Sequence, residues 1–348
     1  MDYTKQYINN SVIIEDKKKE VCVVSEQTFS SLSSLTTYKK VVDISKHHKI
    51  YGLTQNDYNE VLEKIKKQNC FLEYNYIYDK ISGTQIPLKD LVISANHNPN
   101  RYHALIQNRI NTLSNVAKEK NLSPLFMTLT LPSEFHKMKI DKKTKTLIAN
   151  PKYNHVTPKE AVKHLTKMFS RLRHDRSLKE LSKDERIYFR VNEPHKNGTP
   201  HTHVLLFVPK SSINRVVTAF KRLFDNKAND IQTNIENATS YIMKYINKTL
   251  PLSKKENLSK KDKYLNAWYC KHRIIRFNCS RTLAPLSLYR LLHEKFNLKE
   301  LTSLVKKKSL AIFVLQTNRN KIMEIFFGDE LIYQRSKNYT LKNGLLDF

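Results

Sequence analysis

Glycine is scarce in this chain of 348 residues: only Gly52, Gly83, Gly198, Gly328 and Gly344 are present. None of them opens a G-x-x-x-x-G-K-[ST] loop, in which consecutive backbone N–H groups cradle nucleotide phosphates, so a P-loop ATPase is excluded. Cysteine is equally sparse, with Cys22, Cys70, Cys270 and Cys279 scattered and no C-x-x-C pair among them. That spacing builds neither a zinc knuckle nor a secreted disulfide framework, and reduced thiols in a cytoplasm are expected. Long apolar runs are missing too. A stretch such as Leu310–Leu315 is far short of the ~20 residues that span a bilayer, and the start, Met1-Asp2-Tyr3-Thr4-Lys5-Gln6, has no apolar signal core. The expectation is a cytoplasmic protein without a membrane partner.

Acidic residues are also few. Asp and Glu number 32 against 61 Lys and Arg, a formal net charge of +29. Any one run, such as Lys17-Lys18-Lys19, reads as solvated surface, but the excess over the whole chain exceeds what solubility requires. It implies a polyanionic partner, most simply nucleic acid and less simply an acidic membrane surface. The length suffices for a full core and one or two domains.

The chain is organised around residues 190–207. Two β-rich runs flank Asn197-Gly198, the strongest short-range hairpin signal. On the second strand His201 and His203 are two residues apart, so both imidazoles leave the same face of a sheet. Glu193, at the end of the first strand, comes back across the hairpin to offer an oxygen. Two histidines and a carboxylate make a partial coordination sphere with open positions, the pattern of a catalytic rather than a structural metal. Taken alone, His-Thr-His is equally a polar patch on a strand. Downstream, residues 239–248 lack Gly and Pro and predict a helix. At about 100° per residue, Tyr241, Lys244, Tyr245 and Lys248 share one face within an arc of roughly 100°. Without the histidine motif upstream, such a Tyr pair is more often packing.

Three segments occur in the order and at about the spacing of the three motifs of HUH endonucleases. They are Phe126-Met127-Thr128-Leu129-Thr130-Leu131, Pro200-His201-Thr202-His203 and Tyr241-Ile242-Met243-Lys244-Tyr245-Ile246-Asn247-Lys248. The set resembles the two-tyrosine branch, the phage gene A type rolling-circle replication initiators. The later stretch Ala267-Trp268-Tyr269-Cys270-Lys271-His272-Arg273-Ile274-Ile275-Arg276-Phe277 is similar to a Trp…Ile-Arg-x-Phe segment that follows the tyrosine helix in that branch. The resemblance implies an α+β fold, a central antiparallel sheet with flanking helices of the ferredoxin- or RRM-like kind, carrying N- and C-terminal extensions. It divides the chain into an accessory region at 1–100, an endonuclease domain at 101–284 and an appendage at 285–348.

The activity implied is site-specific nicking and strand transfer. A divalent metal, Mg²⁺ or Mn²⁺, on His201, His203 and Glu193 would activate the scissile phosphate, and Tyr241 or Tyr245 would attack it. Free tyrosine has a pKa near 10, so a cation must help ionise it. Lys248, or second Lys244, meets that need. His136 and His195 are expected as structural or DNA-contacting residues, not ligands, and Thr128 and Thr130 as support for the histidine strand. The implied partners are single-stranded or locally melted origin DNA, a host helicase, since the chain has no P-loop, and a host DNA polymerase. A relaxase would place its tyrosine ahead of the histidines. A two-tyrosine transposase keeps this order but commonly adds a cysteine zinc module near its N terminus, which Cys22 and Cys70 do not make. A noncatalytic RRM-like protein would need strand aromatics where threonines and histidines stand.

Elsewhere, helices are predicted over 54–68, 101–120, 157–174 and 211–224, strands over 125–131, 187–192, 201–208 and 230–235, and a β-like stretch over 70–81. Residues 141–145 form a basic insertion. Arg171, Arg173, His174 and Arg176 end a helix, where cations suit the dipole and can touch phosphate. The charged run 254–263 reads as a flexible loop, 268–276 as a surface that stacks bases or, equally, a core around Trp268, and the tail as helices to 296 and 306 with a hairpin around Asn318-Arg319-Asn320.

Overall fold

Capping chemistry written in the sequence starts the helices. In the computed structural model, which describes residues 49–140, 143, 146–253, 257–315, 321–335 and 339–343, Thr54 and Asp57 form a capping box that opens α1 (Gln55–Glu73). This helix absorbs Cys70–Glu73, expected as strand, because Leu72 extends the buried face begun by Val61. Packing along one helical face overrides local β propensity there. Only the remainder is extended, as β1 (Asn75–Asp79), followed by β2 (Gln85–Pro87) and the single-turn α2 (Leu88–Leu91). Helix α3 (Pro99–Glu119) follows an Asn98 cap with Pro in its first turn.

The centre follows in order: β3 (Leu122–Thr130), the short pair β4 (Met138–Ile140) and β5 (Leu147–Ala149), and α4 (Pro158–His174) with the expected Thr157/Glu160 capping box. The pair flanks the basic insertion, of which 141, 142, 144 and 145 lie outside the described residues. Then come α5 (Arg176–Lys179), the hairpin β6 (Ile187–Pro194) and β7 (Pro200–Pro209), α6 (Ile213–Leu223), β8 (Asp230–Gln232), shorter than expected, α7 (Ala238–Thr249), α8 (Lys260–His272) and β9 (Phe277–Cys279). Five strands form one antiparallel sheet in the order β8-β3-β7-β6-β9. The C-terminal part supplies α9 (Leu286–Leu292), α10 (Leu298–Lys306), a sheet of β10 (Leu310–Leu315), β11 (Lys321–Phe327) and β12 (Glu330–Gln334), and β13 (Tyr339–Asn343), which pairs with β1. The expected turn at Asn318-Arg319-Asn320 lies outside the described residues, although β10 and β11 on either side of it do pair antiparallel. The class is α+β, as expected. Among the described residues no helix is long and apolar enough to cross a membrane.

Strand alternation places the site. Along β7, Val204, Leu206 and Val208 enter the core beneath α4 and α6, with Leu165, Phe169, Val216 and Phe220. Leu205 and Phe207 enter the opposite core, with Ile110 and Leu113 of α3, Ile242 and Ile246 of α7, and Leu288 and Leu301 of α9 and α10. His201 and His203 continue this second series by the period of two, at the strand end where the apolar core gives out.

The stretch 267–277 is not a base-stacking surface. Trp268 is 0% exposed, in a third core with Leu53, Val61, Tyr264 and Leu265. Its indole N–H donates to the Gly198 carbonyl at 3.0 Å, and the Tyr269 hydroxyl donates to the Asn192 carbonyl at 2.5 Å. Buried Arg276 donates to the Thr249 carbonyl, at the end of α7, and to Asn266 Oδ1. An amphipathic indole stays buried when its N–H is satisfied, and here the acceptor is the hairpin turn. Nor is 254–263 a loop throughout: a Ser259/Asp262 capping box starts α8 at Lys260, while 254–256 lie outside the described residues. Gly198 has φ +88°, and a Cβ there would meet the Tyr51 carbonyl oxygen at 2.3 Å.

The turn is therefore clamped from two sides, and Gly198→Ala is expected to cost about 1–3 kcal/mol through left-handed strain alone, with the backbone clash added. Trp268→Ala is expected to cost about 3–5 kcal/mol. Urea unfolding followed by circular dichroism checks both. A Gly198→Ala midpoint equal to that of the wild type would contradict the clamp.

Candidate metal and nucleophile site

The register of three strands assembles the ligand set. Glu193 lies directly across from His201, and Val191 from His203. On the other side of β7, Thr130 faces His201 and Thr128 faces His203. The result is that His201 Nε2 and His203 Nε2 stand 3.0 Å apart, with Glu193 Oε2 at 3.6 Å and 3.7 Å from them. A triangle of these sides has its centre about 2.0 Å from each corner, the length of a bond from a divalent transition metal to nitrogen or oxygen. The donor set therefore fits a divalent ion, and it is the one such cluster of His, Cys, Asp or Glu among the described residues. Thr128 Oγ1 lies 3.2 Å from His203 Nδ1. An Nδ1–H donated to it leaves Nε2 with the bare lone pair that a metal takes.

Electrostatics point the same way. Burial first, and the neighbouring His203 and His195, hold His201 well below its ordinary pKa, so it is neutral at pH 7. Glu193 Oε1 and His201 Nδ1 are buried without a hydrogen-bond partner. Glu193 is 1% exposed, and its other oxygen accepts from Lys248 Nζ at 2.8 Å. A buried carboxylate needs a cation beside it, and the exposed end of α7 supplies one.

The predicted tyrosine helix is α7, capped by the Asn237 side chain on the Ser240 N–H. Its polar stripe lies along the histidine strand. The Tyr245 ring sits 3.9 Å from that of His203. Phe126, on the same face of β3 as Thr128, is the platform between strand and helix: its centroid is 5.2 Å from Tyr245, 4.5 Å from Tyr241 and 5.6 Å from His203. Burial first, then Tyr241, push the Tyr245 phenol up to about 12. Tyr241 is 6.0 Å from Tyr245 between centroids, and its hydroxyl donates to Gln232 Oε1 of β8. Lys244 is exposed, its ammonium 5.3 Å from the Tyr241 ring.

Glu193, His201, His203, Lys248 and Tyr245 thus converge, Tyr241 lies one turn along, and Lys244 flanks Tyr241 on the outer side. His195 packs on His201 at 4.2 Å and His136 on His195 at 5.4 Å, extending a row of imidazoles away from the triad. Burial first, with His136, lowers His195 to about 4. Thr130, across from His201, also donates its backbone N–H to Asn229 Oδ1. Sequence reasoning overlooked Phe126, although its place two residues before Thr128 puts it on the site face. It also overlooked Asn247, whose Oδ1 contacts His103 Nε2 at 2.8 Å, joining α7 to α3.

Comparison with known proteins relates the chain to phage replication proteins. The chain is 32% identical over 184 residues to the replication protein of Haemophilus phage HP1 (strain HP1c1), covering 48% of this chain and 22% of that protein. It is 28% identical over 227 residues to the replication gene A protein of Escherichia phage 186, covering 60% and 31%. It is 26% identical over 248 residues to a probable replication endonuclease from prophage-like region 1 of Salmonella typhi, covering 63% and 30%. The chain therefore spans less than a third of the length of these relatives. No solved structure matches. The model of one protein family, the bacteriophage replication gene A protein (GPA), matches residues 33–252, more than half of the chain and all seven residues from Glu193 to Lys248 singled out above. On that match, the chain belongs to the bacteriophage replication gene A protein family.

Proposed function

We propose that this protein initiates rolling-circle replication by nicking one strand of origin DNA through a two-tyrosine, metal-dependent transesterification of the HUH type. One observation carries the reading: the Tyr245 ring lies 3.9 Å from His203, a member of the Glu193, His201 and His203 cluster, so nucleophile and phosphate-activating site share one spot. The names of the relatives, a replication endonuclease and a replication gene A protein, are consistent with it.

A divalent ion, Mg²⁺ or Mn²⁺, held by Glu193, His201 and His203 would supply Lewis-acid withdrawal of charge from a nonbridging oxygen of the scissile phosphate. The chain's own groups do the rest. A tyrosine Oη, losing its proton, attacks phosphorus, and the P–O3′ bond breaks as the new O–P bond forms. The 3′ oxygen leaves, takes a proton and becomes a free 3′-hydroxyl that a host DNA polymerase can extend. The 5′ phosphate stays on tyrosine, keeping bond energy for rejoining. Burial raises the Tyr245 phenol to about 12, so its proton is retained at rest. Lys248, three residues and so just under one helical turn further on the same stripe, is the chain's own cation for the phenolate, and Lys244 holds the equivalent place over Tyr241. Tyr241 and Tyr245 have equal standing, and a second tyrosine lets the displaced strand be cut and rejoined while the first bond is held. Melted or single-stranded origin DNA is the substrate, and a host helicase is the expected partner because the chain has no phosphate loop of its own.

Two measurements test this. In the first, Mn²⁺ or Mg²⁺ and labelled single-stranded oligonucleotides tiled across the encoding element should give a denaturation-resistant protein–DNA adduct. The adduct should survive Tyr241→Phe or Tyr245→Phe alone. It should vanish in the double variant and in His201→Ala/His203→Ala, and its absence on every tile despite tight binding would overturn the reading. In the second, calorimetric Mn²⁺ titration should find one site per chain, lost in His201→Ala/His203→Ala. Lys248→Met should bind the ion about 1.4- to fivefold more tightly, since a competing ion pair of about 0.2–1 kcal/mol is gone, yet form adduct more slowly. Weaker binding by Lys248→Met would remove Lys248 from its assigned place beside Glu193.

A further inference from the structure

Among the described residues, two arginines stand on the other face of the central sheet without a countercharge. Arg190 of β6 alternates with Val191 and Glu193, so it leaves the sheet on the α4 side, opposite the metal cluster. Its guanidinium carbon is 5.0 Å from the Phe169 ring and 6.0 Å from the Tyr188 ring. The guanidinium carbon of Arg173, in the last turn of α4, is 5.7 Å and 5.9 Å from the same two rings. Two like charges therefore converge on one aromatic pair.

A ring under a guanidinium satisfies its face and none of its in-plane N–H groups. Nε of Arg173 and Nε of Arg190 are both buried with no acceptor. Among the described residues neither side chain has a carboxylate partner. The acids nearby in sequence are committed elsewhere: Asp175 to Arg222, Glu180 to Arg215, and Asp184 to Lys306. Burial first, and the Arg173 charge, pull Arg190 down from its ordinary value. Asn278 of β9 lies directly across from Arg190 and so shares its face of the sheet. Two guanidinium groups over one ring pair, with no carboxylate partner among the described residues, are complementary to a tetrahedral anion bearing several acceptor oxygens.

We propose that Arg173 and Arg190, with Asn278, form a phosphate-binding site on the back of the sheet that takes a backbone phosphate of the DNA flanking the cleaved segment. The placement suits this: Arg190 is three residues from Glu193, roughly 10 Å along the same strand. Between β6 and the sheet edge lies only the short β9. A strand leaving the metal side can pass that edge and meet the pair. The assignment rests on the reading of the protein as DNA-binding. It supplies affinity and register, not sequence preference.

The test is fluorescence anisotropy of a labelled single-stranded oligonucleotide across a KCl series, with the full chain as wild type, as Arg173→Gln/Arg190→Gln and as Arg173→Lys/Arg190→Lys. The slope of log affinity against log salt should fall in the Gln variant by about 0.7 if the two share one phosphate and by about 1.4 if each takes its own. It should stay near the wild-type value in the Lys variant, and adduct formation at low salt should persist in both. Should the Gln pair unfold by circular dichroism, Arg173→Gln alone should lower the slope, by about 0.7 if each arginine takes its own phosphate and by less if they share one. A folded Gln variant with an unchanged slope overturns this site and leaves the nicking reading standing. Failure of the wild type to bind the oligonucleotide overturns both. If inorganic phosphate raises the melting temperature of the wild type but not of the Gln variant, and the salt slope does not change, the site serves a free anion and the DNA assignment falls.

Discussion

A carboxylate shut away from water organises the centre of this protein. Glu193 is 1% exposed, and an ion buried to that degree costs several kcal/mol unless a cation stands beside it. Lys248 meets the need from α7, and the imidazoles of His201 and His203 beside it leave room for a metal to meet it instead. The same carboxylate therefore ties the hairpin to the tyrosine helix and sets the distance between them. Because Lys248 is 59% exposed, it can leave toward solvent without breaking the core, which an internal lysine could not do.

Such a charge arrangement is only as good as the frame that holds its elements. The hairpin turn is held by the Trp268 indole, by Tyr269 on the Asn192 carbonyl, and by the tight approach of Tyr51 to Gly198. Helix α7 is held at its end by Arg276 on the Thr249 carbonyl and along its length by Asn247 against His103. These contacts come from segments before and after the sheet: Leu53 and Val61 of the early chain pack in one core with Trp268 and Ile274. Phe126 completes the frame by filling the space beneath both tyrosines, so that the ring of Tyr245 meets His203 rather than water.

The two faces of the sheet divide the labour by strand alternation. One presents imidazoles, carboxylate and phenols. The other buries aliphatic side chains beneath α4 and α6 and, near the edge, holds the Arg173 and Arg190 pair over Phe169 and Tyr188. A single strand, β6, thereby delivers Glu193 to one side and Arg190 to the other.

Short-range information was enough for much of this. Capping boxes at Thr54, Thr157 and Asn-Gly at the hairpin specify their elements locally, because each satisfies backbone donors within a few residues. The period of two placed His201 and His203 on one face, and the helical period put Tyr241, Lys244, Tyr245 and Lys248 on one stripe, before any tertiary contact was known. What the sequence could not settle was which face of an aromatic or charged stretch is buried. Residues 267–277 carry the composition of a nucleic-acid surface, yet burial of Trp268 and Arg276 depends on acceptors at Gly198 and Thr249, tens of residues away. Cys70–Glu73 became helix rather than strand for a similar reason, the long-range packing of one face of α1. Local chemistry determined the elements and the shared face of His201 and His203; only the tertiary structure decided the partner of Lys248 and the surroundings of the arginine pair, because both depend on which distant side chains come within a few ångströms.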